Sequence, residues 1–416
     1  MGTIHVGIGF ATGRPNFKAL LRTYVRNWVS HGHADRVHLH LIIAYDLTYY
    51  GADKRSFVEL EPEITKSLAS VTFLGNDDVP AVVDRLSKQS GMPVERGLEF
   101  FGHGYAGKRN LILYHAVKQE LDYLLFLDDD EYPIVPIKNS YDTLSWIGQD
   151  VLGTHLKHLP GAAVTSGYHS GYISPIPFID DFNESFREED LRTFVESISN
   201  DILDWNTIRA NFSEHQGVTY GHLAVIRDKP MYEIKMQRSG KWVAGSNLGL
   251  NLRRIERIPA FYNPPGARGE DTFFSTILAE ATVKRVPCYT FHDGFLRYLS
   301  ILNGVLPEQL EPVLANDDVV IQRFMRATKG WVAYKPLLIY VTQRSRYLRE
   351  MTRVRTKLAR TAPRLATYLD QPGFLDALDV LVRQDQEVEA HYEQFVRVQE
   401  YWGAIRSPIT NVAIGR

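Results

Sequence analysis

Three consecutive aspartates, Asp128, Asp129 and Asp130, end an apolar run in the stretch YLLFLDDDEYP. Side chains alternate along a strand, so Asp128 and Asp130 project one way and Asp129 the other. Adjacent carboxylates repel, and burial makes ionising them costlier still. A purely structural role for three of them is hard to sustain without a cation, and hard oxygen ligands suit Mg²⁺ or Mn²⁺. The bland alternative is a solvated turn before Pro133. The apolar YLLFL that precedes the acids argues against an ordinary surface approach.

Two further groups have the chemistry of a reaction centre. RGEDTFF sets Glu270 and Asp271 at what reads as a helix start, and Gly269 lets the backbone come close. A carboxylate in hydrogen-bond reach can take a proton from an attacking hydroxyl. The alternative is a pair of first-turn acids complementing the helix dipole. YTFHDGF places His292 after a strand-like segment, beside Asp293 and Gly294. A neutral imidazole can complete a divalent metal's shell, and a hydrogen-bonded structural histidine is the rival reading. His38 and His40 on one strand face, and His31 and His33 around Gly32, read as structural.

The elements that must position these residues alternate. TIHVGIGF reads as a strand, residues 15–30 as a helix, RVHLHLIIAYD as a strand closing on Asp46, and SVTFLG as a short third strand. KRNLILYHAVKQEL has helical spacing at Leu111, Tyr114, Val117 and Leu121, and DYLLFLD is a further strand. Strands alternating with helices imply a mostly parallel sheet with helices on both faces, an α/β domain over residues 1–305. Ligands in such sheets bind beyond the carboxyl ends of the strands, where Asp46 and the Asp128 cluster both fall. Residues 141–238, with the loop-like SGYHSGYISPIPF, read as an insertion that shapes the substrate side. Residues 306–416 read as a mainly helical C-terminal appendage.

The run GYAGKRNLILYHAVKQELDYLLFLDDDEYP resembles the core of a GT-A glycosyltransferase of the broad family-2 kind. WVAGSNLGLNLRRI is similar to that family's small-residue and basic segment, and GARGEDTFFSTIL to its Glu-Asp motif. Together these cover most of residues 1–300. The triple Asp, the Glu-Asp pair and the histidine some twenty residues later look most like the galactofuranosyltransferase-type branch. The resemblance implies a Rossmann-like GT-A fold and sugar transfer from a nucleotide-diphosphate donor to an acceptor hydroxyl, with inversion. It implies Asp271 as base and Glu270 as acceptor contact. Mn²⁺ or Mg²⁺ would be held by Asp130 and His292, with Asp128 on the metal or on the donor ribose.

The donor, taken as UDP-linked from family frequency, should lie against the first strands. GFATGRPNF is similar to the family's first strand-to-helix loop, and Arg14 there could reach a phosphate. Asp46 could accept from base or ribose. Lys108 and Arg109 at a helix start could pair with diphosphate, with surface salt bridging as the alternative. Retaining transfer, and an inactive nucleotide-sugar or glycan-binding protein on the same fold, are the alternative functions. Gly7-x-Gly9 is not a dinucleotide fingerprint, because Thr12 stands where the third glycine belongs. A dehalogenase-type phosphatase wants Thr or Val after the second Asp, where Glu131 follows. A nucleotidyltransferase wants a Gly-x-Gly-Thr-Arg run that the N-terminal loop lacks. GYHSG fails the spacing of a serine-hydrolase elbow.

Composition bounds the partners. The chain has 416 residues, 23% charged, with a formal net charge of -2, so charge gives no general case for nucleic acid or membrane. A single cysteine, Cys288, excludes an intrachain disulfide and fits a reducing cytosol. The N-terminal residues lack the features of a signal peptide or a myristoylation site, and no apolar run approaches the ~20 residues of a membrane span. A soluble, cytoplasmic protein is expected. RSRYLREMTRVRTKLARTAPR is strongly basic within residues 344–364. Tyr347, Met351, Val354 and Leu358 recur at helical spacing, so the plain reading is a helix packed on its apolar stripe. The sharper reading is an acidic acceptor or a peripheral contact with an anionic membrane surface.

Overall fold

A computed structural model describes residues 3–48, 51–102, 104–139, 143–200 and 205–414, with the side chains of residue 207 and residues 211–214 and 407–414 outside the description. The strands are β1 (Ile4–Thr12), β2 (Val37–Tyr45), β3 (Ser70–Leu74), β4 (Tyr123–Leu127), β5 (Glu131–Tyr132), β6 (Ile134–Lys138), β7 (Leu144–Gly148), β8 (Val164–Gly171), β9 (Tyr232–Glu233), β10 (Leu248–Asn251) and β11 (Val283–His292). The main sheet runs in the order β3-β2-β1-β4-β10-β8-β11-β5, with β9 on the side of β11. β1, β2, β3 and β4 are parallel, β10 is antiparallel to both its neighbours, and β8 and β11 are parallel to each other. β6 and β7 form a separate hairpin. This is a mostly parallel α/β sheet with helices on both faces and a helical C-terminal region, as the alternation of strands and helices predicts.

The two faces of the sheet carry two hydrophobic clusters. On β4, Leu124 and Phe126 belong to one, and Tyr123, Leu125 and Leu127 to the other. Both faces are therefore buried, which is why the strand reads as an unbroken apolar run. β1 divides its faces differently: Val6, Ile8 and Phe10 fill one side, and Gly7 and Gly9 lie on the other. A Cβ on Gly9 would sit 2.7 Å from Ile112 Cγ2. The glycines let the helix Gly104–Lys118 press onto the sheet just before the chain enters β4, and so fix where Lys108 and Arg109 emerge.

Two sequence expectations change. SGYHSGYISPIPF is irregular only from Tyr172 onward: Ser166 to Gly171 lie in β8, inside the sheet between β10 and β11. Small residues there make room for a buried polar side chain, since a Cβ on Gly167 would fall 2.1 Å from Asn247 Nδ2. Turn-forming composition was outweighed by a tertiary packing demand. The C-terminal region is helical, through Asp318–Thr342, Tyr347–Tyr368, Asp376–Gln386 and Val388–Ile414. It shares the core of the sheet rather than hanging from it. Tyr334, Phe395, Tyr401 and Trp402 belong to the same cluster as Leu124 and Phe126. The helix Tyr347–Tyr368 packs as its stripe predicts, burying Met351, Val354 and Leu358 in a third cluster with Phe194 and Phe324. Among the described residues no helix is long and apolar enough to cross a membrane.

Candidate active site

A cavity of about 890 Å³ opens beyond the carboxyl ends of β1, β2 and β4. Its wall includes Arg14, Asp46, Lys108, Arg109, Asp128, Asp129, Asp130, Glu270, His292 and Arg323. β4 delivers the three aspartates. The short helix Glu270–Ile277 delivers the acid pair, and Gly269 before it takes φ +107°, a left-handed conformation glycine adopts without strain. His292 ends β11.

The aspartates face different sets of partners, with Arg14 shared by Asp129 and Asp130. Asp129 accepts from Thr12 Oγ1 at 2.6 Å and from Arg14 Nη1 at 2.8 Å. Asp130 Oδ2 meets the same Arg14 nitrogen at 2.7 Å and His292 Nε2 at 3.2 Å. Asp128 is drawn to Arg109 Nη2 at 2.9 Å. Their protonation behaviour separates accordingly. Burial pushes the Asp128 carboxyl up to about 7, with Arg109 pulling against it and Glu131, Asp130 and Asp129 adding to it. Burial also raises Asp130, but His292 and Arg14 outweigh it and hold that carboxyl far below the usual range. His292 moves the opposite way: burial lowers it, and Asp130 more than compensates, holding the imidazole above its ordinary value.

Glu131 is buried behind the three aspartates. It accepts from Ser246 Oγ at 2.6 Å and Thr290 Oγ1 at 2.8 Å, with His169 Nε2 at 3.3 Å. Four acids in a row are thus met by Arg109, Arg14, His292 and His169, each from a different element. This answers how so much negative charge is tolerated at the end of an apolar strand.

Arg109 is the hub of the opposite wall. Its guanidinium binds Asp128, reaches Glu270 Oε1 through Nε at 3.1 Å, and donates to the Gly245 carbonyl. It also lies 5.2 Å from the ring centre of Phe126 and 5.8 Å from that of Phe261. Glu270 lines the cavity. Asp271 is half-buried beside it, accepting from Gly245 N at 3.2 Å and Thr272 N at 2.8 Å. Burial, and then Glu270, push the Asp271 carboxyl up to about 6. Lys108 pairs with Asp46 at 2.8 Å. Burial acts against the charged Asp46, but hydrogen bonds from Lys108 and Thr48 hold it at about 2.

Arg14, Asp46, Lys108, Arg109, Asp128, Asp130, Glu270 and His292 therefore converge on this cavity and Asp271 lies beside it, but the cations stand differently from expectation. Arg14, Lys108 and Arg109 are already engaged with the chain's own carboxylates. Arg323, which no motif marked, reaches the cavity from the helix Asp318–Thr342. Its guanidinium lies against Gly294, where a Cβ would meet Nη2 at 2.4 Å, and its Cζ is 4.9 Å from the ring centre of Phe295. Thr12 and the Glu131–Ser246–Thr290–His169 cluster were missed as well. No local pattern marks them, because they come together only through the sheet order.

The fit to a divalent ion is partial. Among the described residues no group of three or more His, Cys, Asp or Glu is arranged to hold a metal. Asp130 and His292 offer two donors side by side, and Asp128 points to Arg109 instead.

No family model matches the chain, and no curated protein matches it significantly. Among solved structures, one similar to this chain is described as the galactosyltransferase LgtC in complex with donor and acceptor sugar analogs. The likeness covers 77% of this chain and 94% of the other, at 12% identity and a TM-score of 0.26. So shallow a likeness carries no weight beside the site geometry.

Proposed function

We propose that the protein is a glycosyltransferase that moves a sugar from a nucleoside-diphosphate donor to an acceptor hydroxyl with inversion. The observation that carries the reading is the cavity itself. Its wall holds Asp128, Asp129, Asp130 and Glu270 together at the carboxyl ends of parallel strands, with Arg109 joining Asp128 to Glu270 and Asp271 next to Glu270 just outside the lining. The motif resemblance of the sequence agrees with it.

Roles follow from position and charge. Asp46 lies where a base or ribose would rest against the first strands, and Asp128 is a second ribose contact. Breaking a glycosyl–phosphate bond leaves negative charge on the departing diphosphate. Arg14 and Arg323 flank the place where that charge would develop, and Lys108 neutralises Asp46 on the same rim. Asp130 and His292 would hold a Mn²⁺ or Mg²⁺ ion. Such ions commonly take only one or two protein ligands and complete their shells with water and substrate phosphate oxygens, which suits a two-donor site. When bound, the ion would stabilise charge on the diphosphate.

On the acceptor side, Glu270 holds the hydroxyl and Asp271 takes its proton. A carboxyl with a pKa near 6 is ionised at neutral pH yet remains basic enough to accept a proton in the transition state. UDP is the proposed donor nucleotide, and a glycan or lipid-linked hydroxyl the proposed acceptor.

The experiment is a thermal-shift panel of nucleotide sugars with and without Mn²⁺, followed by a donor-hydrolysis assay. A ligand that binds the native state at a hundred- to a thousand-fold above Kd adds about 2.7–4.1 kcal/mol of stability. A stabilising donor that is also hydrolysed supports the reading. Stabilisation without hydrolysis or transfer would make the protein a nucleotide-sugar binder, and no response to any donor would sink both.

A further inference from the structure

The cavity wall near Glu270 holds two cations with no carboxylate to answer them. Every described carboxylate of the lining is engaged within the chain: Asp46 by Lys108, Asp128 and Glu270 by Arg109, Asp129 and Asp130 by Arg14, and Glu99 by Arg397 at 2.7 Å. Arg268 and Arg326 line the same cavity, and neither side chain makes an ion pair or a hydrogen bond among the described residues. Arg268 lies two residues before Glu270, and Arg326 lies on the helix Asp318–Thr342.

The two arginines are brought to one wall by a fixed contact. Val319, Arg323, Arg326 and Gly330 recur at helical spacing and form a single stripe of Asp318–Thr342. The stem of Arg268 lies over that stripe. A Cβ on Gly330 would stand 2.9 Å from Arg268 Cγ and 3.1 Å from Cδ, and Arg268 N donates to the Gly330 carbonyl at 3.2 Å. Glycine is disfavoured inside a helix, and here its missing Cβ seats the arginine. The next residue of the loop, Gly269, lies against Tyr334, where a Cβ would meet Cδ1 at 3.0 Å. The loop that carries Arg268 and Glu270 is thus docked on the helix that carries Arg326, one turn and about 6 Å of rise before Gly330. A solvated surface cation needs no such seat. Two like charges on one concave wall repel each other until an anion lies between them.

We propose that Arg268 and Arg326 form an oxyanion subsite on the acceptor side of the cavity, so that the acceptor is an anionic sugar or glycan bearing a phosphate or a carboxylate. The assignment of this side to the acceptor rests on the transferase reading of the cavity. Guanidinium forks match both oxyanions through paired hydrogen bonds, and both arginines are unengaged and ready to make them. An anion held there would fix the acceptor beside Glu270, leaving Arg14 and Arg323 to the leaving diphosphate.

The test is calorimetric titration of the full chain with glucose 6-phosphate, glucuronate and methyl glucoside, with UDP and Mn²⁺ present to occupy the donor half. It is run on the native protein and on Arg268→Gln and Arg326→Gln. Both variants alter exposed side chains, and circular dichroism checks their fold. An anionic sugar should bind the native chain about tenfold or more tighter than methyl glucoside, and each variant should lose that preference. The tighter of the two anions assigns phosphate or carboxylate. Thermal stabilisation by UDP with Mn²⁺ should be the same in the native chain and the variants. Anionic sugars that bind no better than methyl glucoside, or that bind folded variants as tightly as the native chain, overturn the proposal. Variants that lose UDP stabilisation and keep their sugar affinity give the arginines to the donor and overturn it too. A chain that UDP never stabilises, but whose anion preference disappears in the variants, keeps the subsite and discards the transferase reading, so the two failures are told apart.

Discussion

Arg109 and Glu270, 161 residues apart in the sequence, meet at 3.1 Å, and the same guanidinium holds Asp128 at 2.9 Å. One buried cation therefore sets the spacing between the aspartate cluster and the acid pair. Removing one partner of a buried ion pair typically costs about 3–5 kcal/mol, because the other charges stay behind uncompensated. Arg109→Met should lower the melting temperature and abolish transfer. Arg109→Lys keeps the charge but not the fork, and should lose most turnover with a smaller loss of stability. A chemical-denaturation series alongside turnover checks this. Normal activity in the Lys variant would remove Arg109 from the positioning role.

The acid pair makes a separable prediction. Asp271→Asn should cut turnover about 10²–10⁴-fold with donor affinity nearly unchanged. Glu270→Gln should raise the acceptor KM first. Because Asp271 is held up to about 6, turnover should fall as pH drops through 6, where the base becomes protonated. The stability linkage has its own sign. A carboxyl whose folded pKa is raised binds its proton more tightly when folded, so its contribution favours folding below the ordinary Asp value and is lost as pH rises through 6. The Asn variant should flatten both profiles in that window. A Glu270→Gln enzyme that is dead beside an active Asp271→Asn enzyme would reverse the two roles. Product anomers by NMR would separate inversion from retention if both variants stayed active.

Divalent-ion dependence is tested by binding as well as by rate. Asp130→Ala and His292→Ala should each remove the Mn²⁺-dependent part of nucleotide stabilisation in a thermal shift. His292→Ala also removes the imidazole that faces Asp130 at 3.2 Å. EDTA should silence transfer by the native chain, and added Mn²⁺ should restore it. Full activity in EDTA would leave the leaving group to cationic side chains such as Arg14 and Arg323 and would discard the metal.

The helix Tyr347–Tyr368 separates packing from charge. Met351 is 3% exposed, so Met351→Ala should cost about 2–5 kcal/mol through lost contacts and the cavity left behind. Arg349→Glu changes an exposed side chain with no ion pair among the described residues and should stay within ~0.5 kcal/mol of the native value. Equilibrium denaturation of the two variants checks this. Equal destabilisation by both would mean the basic face packs as well.

The sequence by itself determined the sheet's parallel half and the strand ends at which the candidate site lies. Short apolar runs such as YLLFL, too brief for a helix and set between helical patterns, read as buried strands, and acids at their carboxyl ends fall where ligands bind such sheets. The helical spacing of KRNLILYHAVKQEL, the glycine before Glu270 and the strand ending in His292 were legible because each is a local signal with a local cause. The tertiary structure alone decided which charge faces which. Arg14 bridges Asp129 and Asp130, Arg109 joins Asp128 to Glu270, and Arg323 arrives from the C-terminal helix. β8 enters the sheet through a stretch that composition marks as loop, because Gly167 must admit Asn247. Those outcomes depend on strand order and on contacts between residues far beyond the reach of a local sequence pattern. Propensity and periodicity act over a few residues, and they carry no information about which distant surfaces will meet.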